Sequence, residues 1–156
     1  MQNGIQEEQV VIKGSVTHRL FDAEGKLTFE REDKNIVVTV GKNYLAAWLA
    51  AATQGGPFMS YVGLGTGTTA AAVGDTALQT EFAGGGYARV QGTLSSTGNV
   101  WQNVAVFGAG NGTGAVTEAG LFSALTVGTM MAHQVFAAYN KAAADSLQIT
   151  WTLTFN

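Results

Sequence analysis

The C-terminal segment Ser146–Phe155, SLQITWTLTF, constrains the fold more than any other stretch of the chain. Its residues alternate between large apolar and polar side chains, a period of two that is typical of a half-buried β-strand. The apolar members are Leu147, Ile149, Trp151, Leu153 and Phe155. Their burial contributes roughly 10 kcal/mol, at about 1.5–3 kcal/mol for each side chain. Since a single strand cannot bury this face, the segment predicts a sheet that closes over it.

The rest of the chain indicates the same fold class. Short apolar or alternating runs recur at spacings of about a dozen residues and are separated by Gly-rich turns, a pattern that favours an all-β protein. We predict an antiparallel β-sandwich or barrel of roughly eight or nine strands, with one short helix. The helix is predicted at Tyr44–Ala52, where Ala and Leu occur with helical spacing. Arg31–Asn35 is predicted as a charged tip before a strand at Ile36–Val40, and Asp75–Glu81 as a short helical turn capped by Asp75.

The 156 residues fit one domain, predicted at 10–156 and preceded by a polar N-terminal arm at 1–9. The chain has no cysteine, which excludes disulfides and thiolate metal ligands. Its start, MQNGIQEEQ, lacks the basic and apolar regions of a signal peptide. The apolar run Tyr44–Ala52 is too short to span a bilayer. We therefore expect neither export by a signal sequence nor a membrane partner.

Charge is unusually sparse. Charged residues make up 12% of the chain and the net charge is −3, whereas a typical domain is about 25% charged. The few Lys and Arg residues are scattered, so we expect no nucleic-acid partner. A surface so poor in charge must be covered by uncharged polar residues or be buried against other molecules.

The sequence shows no complete catalytic or cofactor-binding motif. Gly63–Thr69, GLGTGTT, resembles a phosphate-binding loop but lacks the Lys that such loops use, so we interpret it as a strand that ends in a Gly/Thr turn. His18 and His133 lie in predicted strands without acidic or histidine neighbours at metal-ligand spacing, which favours a role in a sheet face or a subunit contact. No G-x-S-x-G elbow occurs. We therefore predict a protein that is not an enzyme and uses no metal or cofactor.

Glu118 differs from the other acidic residues because its neighbours, in TEAGLF, are apolar or small. A carboxylate in such surroundings needs a charged or hydrogen-bonding partner, since an unpaired buried charge is costly. Arg89 is the candidate partner, because it too is a lone charge in a β segment. We predict a structural ion pair between Glu118 and Arg89.

Two segments of the chain together carry a resemblance to a known group of proteins. One is YVGLGTGTTAAAVGDTALQTEF, and the other is the region that runs from VTEAGLF through a G-T-M turn to DSLQITW. In this order and spacing the chain resembles structural proteins of tailed bacteriophages over roughly Ile36–Phe155. It departs from that group at Ala132-His133-Gln134, where a basic residue is common.

The resemblance implies a non-enzymatic virion component, best matched by a capsid decoration (cement) protein built on a jelly-roll-like antiparallel β-sandwich. Such a protein would be made in the host cytoplasm, bind the major capsid protein on the outer surface of the head as a homo-oligomer (a trimer or dimer), and stabilise contacts between capsomers. A tail, baseplate or fibre-associated protein is the alternative. A carbohydrate-binding module, suggested by Trp48, Trp101 and Trp151 on a β-sandwich, is a third reading that rests on fold class alone.

Overall fold

The computed structural model describes residues 9–51, 58–84 and 86–156. Within these ranges the chain forms nine strands and one helix, and all strand pairs are antiparallel. The elements are β1 Ile12–Phe21, β2 Leu27–Val37, α1 Thr39–Ala50, β3 Tyr61–Gly65, β4 Val90–Gln91, β5 Thr93–Thr97, β6 Val100–Phe107, β7 Gly114–Phe122, β8 Met130–Lys141 and β9 Ser146–Phe155. The predicted all-β class with one short helix is confirmed.

The strands form a single sheet that curls back on itself. Their order is β4-β3-β7-β8-β2-β1-β9-β6-β5. Strand β2 joins the two halves, because most of it pairs with β1 while its last residues, Ile36 and Val37, pair with β8. The terminal strands β4 and β5 are separated in sequence only by Gly92, whose N–H donates to the Ser60 carbonyl at 2.7 Å. The sheet is therefore nearly closed, and its two halves share one apolar core.

Strand β9 lies at the centre of this core, as its alternation predicts. Its bounds match the predicted segment, and it pairs with β1 on one side and β6 on the other. Leu147, Ile149 and Trp151 are fully buried and Leu153 nearly so, whereas Phe155 is only partly covered. Four of the five apolar side chains thus provide the expected burial.

The charged tip predicted before the helix and the predicted start of the helix are both wrong. Arg31–Asn35, predicted as a tip, continues strand β2, because Arg31 and Asp33 pair with each other and Arg31 also lies over the Phe136 ring. The helix begins at Thr39 rather than Tyr44, so Val40 is helical. Gly41 allows this early start, since a Cβ there would lie 2.5 Å from the Met131 carbonyl oxygen.

The short helical turn predicted at Asp75–Glu81 is also wrong. The segment has no helical residues, although Asp75 does accept a backbone hydrogen bond, from Ala72. The N–H groups of Gln79 and Thr80 donate to the carboxylate of Glu118 instead of to a preceding turn. A distant side chain therefore replaces the local hydrogen bonds on which a helix depends.

The predicted N-terminal arm, apart from Gln9, and the last residue of the predicted helix, Ala52, lie outside the described residues. Where the description begins, Val11 and Asn156 exchange backbone hydrogen bonds of 2.7 and 2.9 Å beside the end of β9. No helix in the described ranges has the length and apolar character needed to cross a membrane.

Candidate functional site

Glu118, on β7, is a fully buried carboxylate whose oxygens are bound from two directions. Backbone N–H groups of Gly67, Gln79 and Thr80 donate to it at 2.9, 3.0 and 2.8 Å. The ring Nε2 of His133 lies 3.0 Å from its Oε2 atom. The expectation that this residue needs hydrogen-bonding or charged partners is therefore confirmed, although the partners differ from the predicted one.

His133, on the adjacent strand β8, connects Glu118 to a second acid. It is fully buried, and its Nδ1 lies 2.7 Å from Oδ2 of Asp75. Because a carboxylate oxygen faces each ring nitrogen, both nitrogens donate and the ring is an imidazolium. The residues Asp75, His133 and Glu118 thus form a continuous chain of two carboxylates around one cation, with Asp75 at its partly exposed end. We call these three residues the buried ion cluster.

The pKa values of the cluster reflect this mutual neutralisation. Burial alone would lower the pKa of His133, but the hydrogen bonds and charges of Glu118 and Asp75 outweigh it and raise that pKa. Burial would raise the pKa of Glu118, yet the bonds from His133 and from three N–H groups lower it overall. The pKa of Asp75 is likewise lowered, by its bonds to Ala72 and His133, against the opposing effect of burial. The direction of each shift favours the charged form of its group.

The cluster holds loop 66–80, which follows β3, against β7 and β8. The hydroxyl of Thr117 donates to the Gly67 carbonyl at 2.8 Å, and the Gln79 side chain bonds both the N–H and the carbonyl of Thr69. Gly67 must lack a side chain, since a Cβ there would lie 2.6 Å from Oε1 of Glu118. The interpretation of GLGTGTT as the end of a strand is confirmed, because β3 ends at Gly65, although no turn is assigned to the residues that follow.

Arg89 has a different acidic partner from the one predicted. Its Nε and Nη2 atoms bind both carboxylate oxygens of Glu81 at 2.6 and 2.8 Å. Its guanidinium lies 3.5 Å from the centre of the Phe122 ring, and Nη1 donates to the Ala124 and Val127 carbonyls. The predicted ion pair between Glu118 and Arg89 is therefore wrong.

Separation in sequence decides which of these pairings can be read from the sequence. Glu81 lies only eight residues before Arg89, so its proximity was readable. The link from Asp75 to His133 spans 58 residues and depends on how loop 66–80 folds back. No local sequence pattern indicates the contact between Asp75 and His133. The apolar surroundings of Glu118 were the one usable signal.

The buried ion cluster has the geometry of a structural site. His133 and Glu118 are fully buried, and each ring nitrogen and carboxylate oxygen named above already has a hydrogen-bond partner. A general base needs a substrate proton within hydrogen-bond reach, and His133 and Glu118 are too deeply buried for that. The Asp75 side chain is 25% exposed, and its Oδ2 atom already accepts from Ala72 and faces His133. Among the described residues, no three or more His, Asp or Glu side chains are grouped so that they could hold a metal ion.

His18 is the second buried histidine and behaves differently. It lies on β1, its Nδ1 is 2.9 Å from the Tyr139 hydroxyl, and its ring packs against Phe136. Burial lowers its pKa to about 4. His18 is therefore a neutral core residue, and both histidines lie within the sheet as expected.

An apolar cavity of about 300 Å³ lies between α1 and the nearly closed sheet. Its aromatic and aliphatic lining includes Tyr44, Leu45, Trp48, Phe58, Trp101 and Phe155. Trp151, in contrast, is in the closed core. Two of the three tryptophans thus face one uncharged cavity.

Comparisons with known proteins identify no relative. No protein-family model matches the chain, no protein with a curated description matches it, and no solved structure matches it. The resemblance to structural proteins of tailed bacteriophages therefore stays a prediction from the two sequence segments named in the sequence analysis.

Proposed function

We propose that the protein is a non-enzymatic structural protein of a tailed-bacteriophage virion, a capsid decoration protein. It binds the major capsid protein on the outer surface of the head as a homo-oligomer and stabilises contacts between capsomers. The observation that carries the proposal is that the motifs of the resemblance, far apart in sequence, meet in one hydrogen-bonded cluster.

The three motifs depend on one another in space. Gly67, from G-T-G-T-T, donates to Glu118, from E-A-G-L-F. Asp75, which opens D-T-A-L, reaches Glu118 through His133. Each motif alone is a weak match, but residues that must fit together in one cluster have a physical reason to occur together. This supports the resemblance as one of fold, and through it the virion role.

The distribution of charge supports the same role. No charged residue occurs between Lys42 and Asp75. Large apolar side chains are exposed in and after this stretch, among them Leu49, Phe58 and Val73. Exposed apolar surface of this kind marks interaction sites. A decoration protein gains its effect from many copies that each make contacts of this kind.

Binding to heads tests the proposal directly. Purified protein is mixed with mature, expanded heads that lack decoration, and bound copies are counted after sedimentation and located by labelling. We expect saturable binding over the whole shell. Heads already decorated serve as the matched control, because their sites are filled and they should take up little added protein.

The alternative locations give different results. Absence of binding to heads, together with few copies found in isolated tails, would contradict the proposal and favour a tail, baseplate or fibre-associated protein. The carbohydrate-binding alternative needs polar groups placed beside an aromatic surface. The cavity that contains Trp48 and Trp101 is lined almost entirely by apolar side chains. Specific binding in a glycan screen would nevertheless favour that alternative.

A further inference from the structure

Loop 66–80 has a firmly held base. Its two ends are joined where the N–H of Thr66 donates to the Thr80 carbonyl at 2.9 Å. The N–H groups of Gly67, Gln79 and Thr80 all donate to the carboxylate of Glu118. These three hydrogen bonds end on one fully buried charge, and hydrogen bonds to a charged group are the strong ones.

An apolar contact strengthens the same end of the loop. Leu78 is buried and packs in a small cluster with Phe122 and Met130. Glycines in β3 and β7 make room for it, since a Cβ on Gly63 or Gly120 would lie 3.3 or 3.0 Å from a methyl carbon of Leu78. Opening of the base would expose this side chain, so the hydrophobic effect opposes it.

The rest of the loop, residues 70–77, which we call the outer loop, is held much less. Among the described residues, two hydrogen bonds join it to other parts of the chain. Oδ2 of Asp75 lies 2.7 Å from Nδ1 of His133, and the Val73 carbonyl accepts from the N–H of Thr39 at 2.7 Å. Thr39 is the first residue of α1, where N–H groups have no partner inside the helix. Its hydrogen bond therefore reports the position of the outer loop.

The two carboxylates beside His133 are not equivalent when the ring loses a proton. A neutral imidazole keeps one donor, and its other nitrogen presents a lone pair. Glu118 is fully buried and fixed by three N–H groups, so it can neither move away from a lone pair nor be solvated. The side chain of Asp75 is 25% exposed, so water can solvate it after a small movement. The remaining proton therefore stays on Nε2, and the lone pair on Nδ1 faces Asp75.

These two acids are the charged groups that face His133 in the described part of the chain. Glu118 is the only ionisable residue of β7, and Asp75 is the only one of loop 66–80. On β2 the apolar Ile36 lies opposite His133, and α1 carries one charged residue, Lys42, which is exposed. Burial lowers the pKa of His133, but its hydrogen bonds and charge interactions with Glu118 and Asp75 raise it overall from 6.5. The neutral ring therefore forms on the alkaline side of that value.

We propose that the outer loop is a flap that the proton on His133 closes. While the ring is an imidazolium, Asp75 is bound and the outer loop lies against β8 and the start of α1. When Nδ1 becomes a lone pair, Asp75 is repelled and residues 70–77 move outward, while the base stays on Glu118. The inference rests on the buried ion cluster and not on the virion role, so either can fail without the other.

Amide hydrogen exchange of the full chain, resolved by nuclear magnetic resonance, tests this order of events. The N–H of Thr39 reports the outer loop, and those of Gly67, Gln79 and Thr80 report the base. From pH 6.5 to about pH 9.5, the protection factor of Thr39 should fall about 10-fold or more, as expected when one hydrogen bond to a charged group is lost. The base amides should change less than about two-fold, because their bonds to Glu118 remain. An equal fall at the base, or no fall at Thr39, would overturn the proposal.

Asp75→Asn separates the flap from simple fraying of α1. An amide accepts from the charged ring and, after rotation, donates to the neutral one, so the fall at Thr39 should disappear. Asp145→Asn is the matched control and should keep the wild-type fall. Asp145 accepts from Ala142 as Asp75 accepts from Ala72, but in the connection between β8 and β9. A fall at Thr39 that persists in Asp75→Asn would belong to the helix end and contradict the flap.

The ring itself gives a measurement that needs no variant. The nitrogen chemical shifts of His133 distinguish the two neutral tautomers, and at alkaline pH we expect the proton on Nε2. A proton on Nδ1 would mean that Glu118, rather than Asp75, meets the lone pair, and the proposed direction of opening would be wrong.

Discussion

The Nε2 atom of His133 lies 3.0 Å from Oε2 of Glu118, and both side chains are fully buried. The pair joins neighbouring strands β7 and β8 and fastens loop 66–80 through N–H groups that donate to the same carboxylate. A buried ion pair of this kind contributes little relative to an apolar replacement, but the loss of one partner leaves an uncompensated charge. The integrity of the loop therefore depends on each member of the cluster.

Replacement of His133 should destabilise the protein strongly. His133→Gln removes the cation between Glu118 and Asp75, and we expect a loss of about 3–5 kcal/mol in the free energy of unfolding. Urea unfolding followed by circular dichroism measures it. His18→Gln is the matched control, because His18 is equally buried but neutral and has one side-chain hydrogen bond; its loss should be about 1–2 kcal/mol. Equal losses in the two variants would show that the charge of His133 has no special role.

The two histidines should also give stability opposite dependences on pH. The pKa of His133 is raised in the folded protein above its ordinary value of 6.5. Its contribution is therefore complete below about pH 6.5 and is lost as the pH rises through the folded pKa. The stability gap between wild type and His133→Gln should accordingly shrink from pH 6.5 into the alkaline range. A gap that is constant over this range would contradict a charged His133.

His18 acts in the acid range. Its pKa falls from 6.5 to about 4 on folding, so the unfolded chain binds the proton first and stability declines as the pH falls from 6.5 towards 4. That decline amounts to about 3 kcal/mol, since one pKa unit corresponds to about 1.4 kcal/mol. Unfolding curves of the wild type and His18→Gln between pH 4 and 7 measure it. The variant should lose this part of the slope and keep the part due to the carboxylates.

Addition of one methyl group at Gly67 should disturb the cluster. The Cβ of Gly67→Ala would lie 2.6 Å from Oε1 of Glu118, and such overpacking costs about 1–3 kcal/mol. Gly74→Ala, in the same loop, is the control: nothing lies within 4 Å of its Cβ, so its stability should equal the wild type's or exceed it by about 0.4–1 kcal/mol. Thermal unfolding of both variants compares them, and equal midpoints would show that loop 66–80 adapts without cost.

Arg89 should not tolerate replacement by Lys. Its guanidinium binds both oxygens of Glu81, stacks on Phe122 and donates to two carbonyls, and a Lys ammonium cannot reproduce that planar arrangement. We expect Arg89→Lys to lose about 1–3 kcal/mol. Arg19→Lys is the control, because the pair between Arg19 and Glu30 is largely exposed and such pairs contribute about 0–1 kcal/mol. A loss as small as that of the control would mean that only the charge of Arg89 matters.

Strand periodicity was readable from the sequence because it is a local property. The alternation in Ser146–Phe155 defines both the bounds and the buried face of β9. Each such pattern depends only on successive side chains pointing to opposite faces. The fold class followed from the number and spacing of these segments.

The partners of the charged residues were decided by tertiary structure. The sequence indicated that Glu118 needs compensation, but the candidate partner that it offered was Arg89. Only the closure of the sheet, which brings loop 66–80 over β7 and β8, places His133 and three N–H groups at the carboxylate and leaves Arg89 to Glu81. Local periodicity follows from backbone geometry within a few residues, whereas an ion pair depends on the positions of segments tens of residues apart, which only the folded chain fixes.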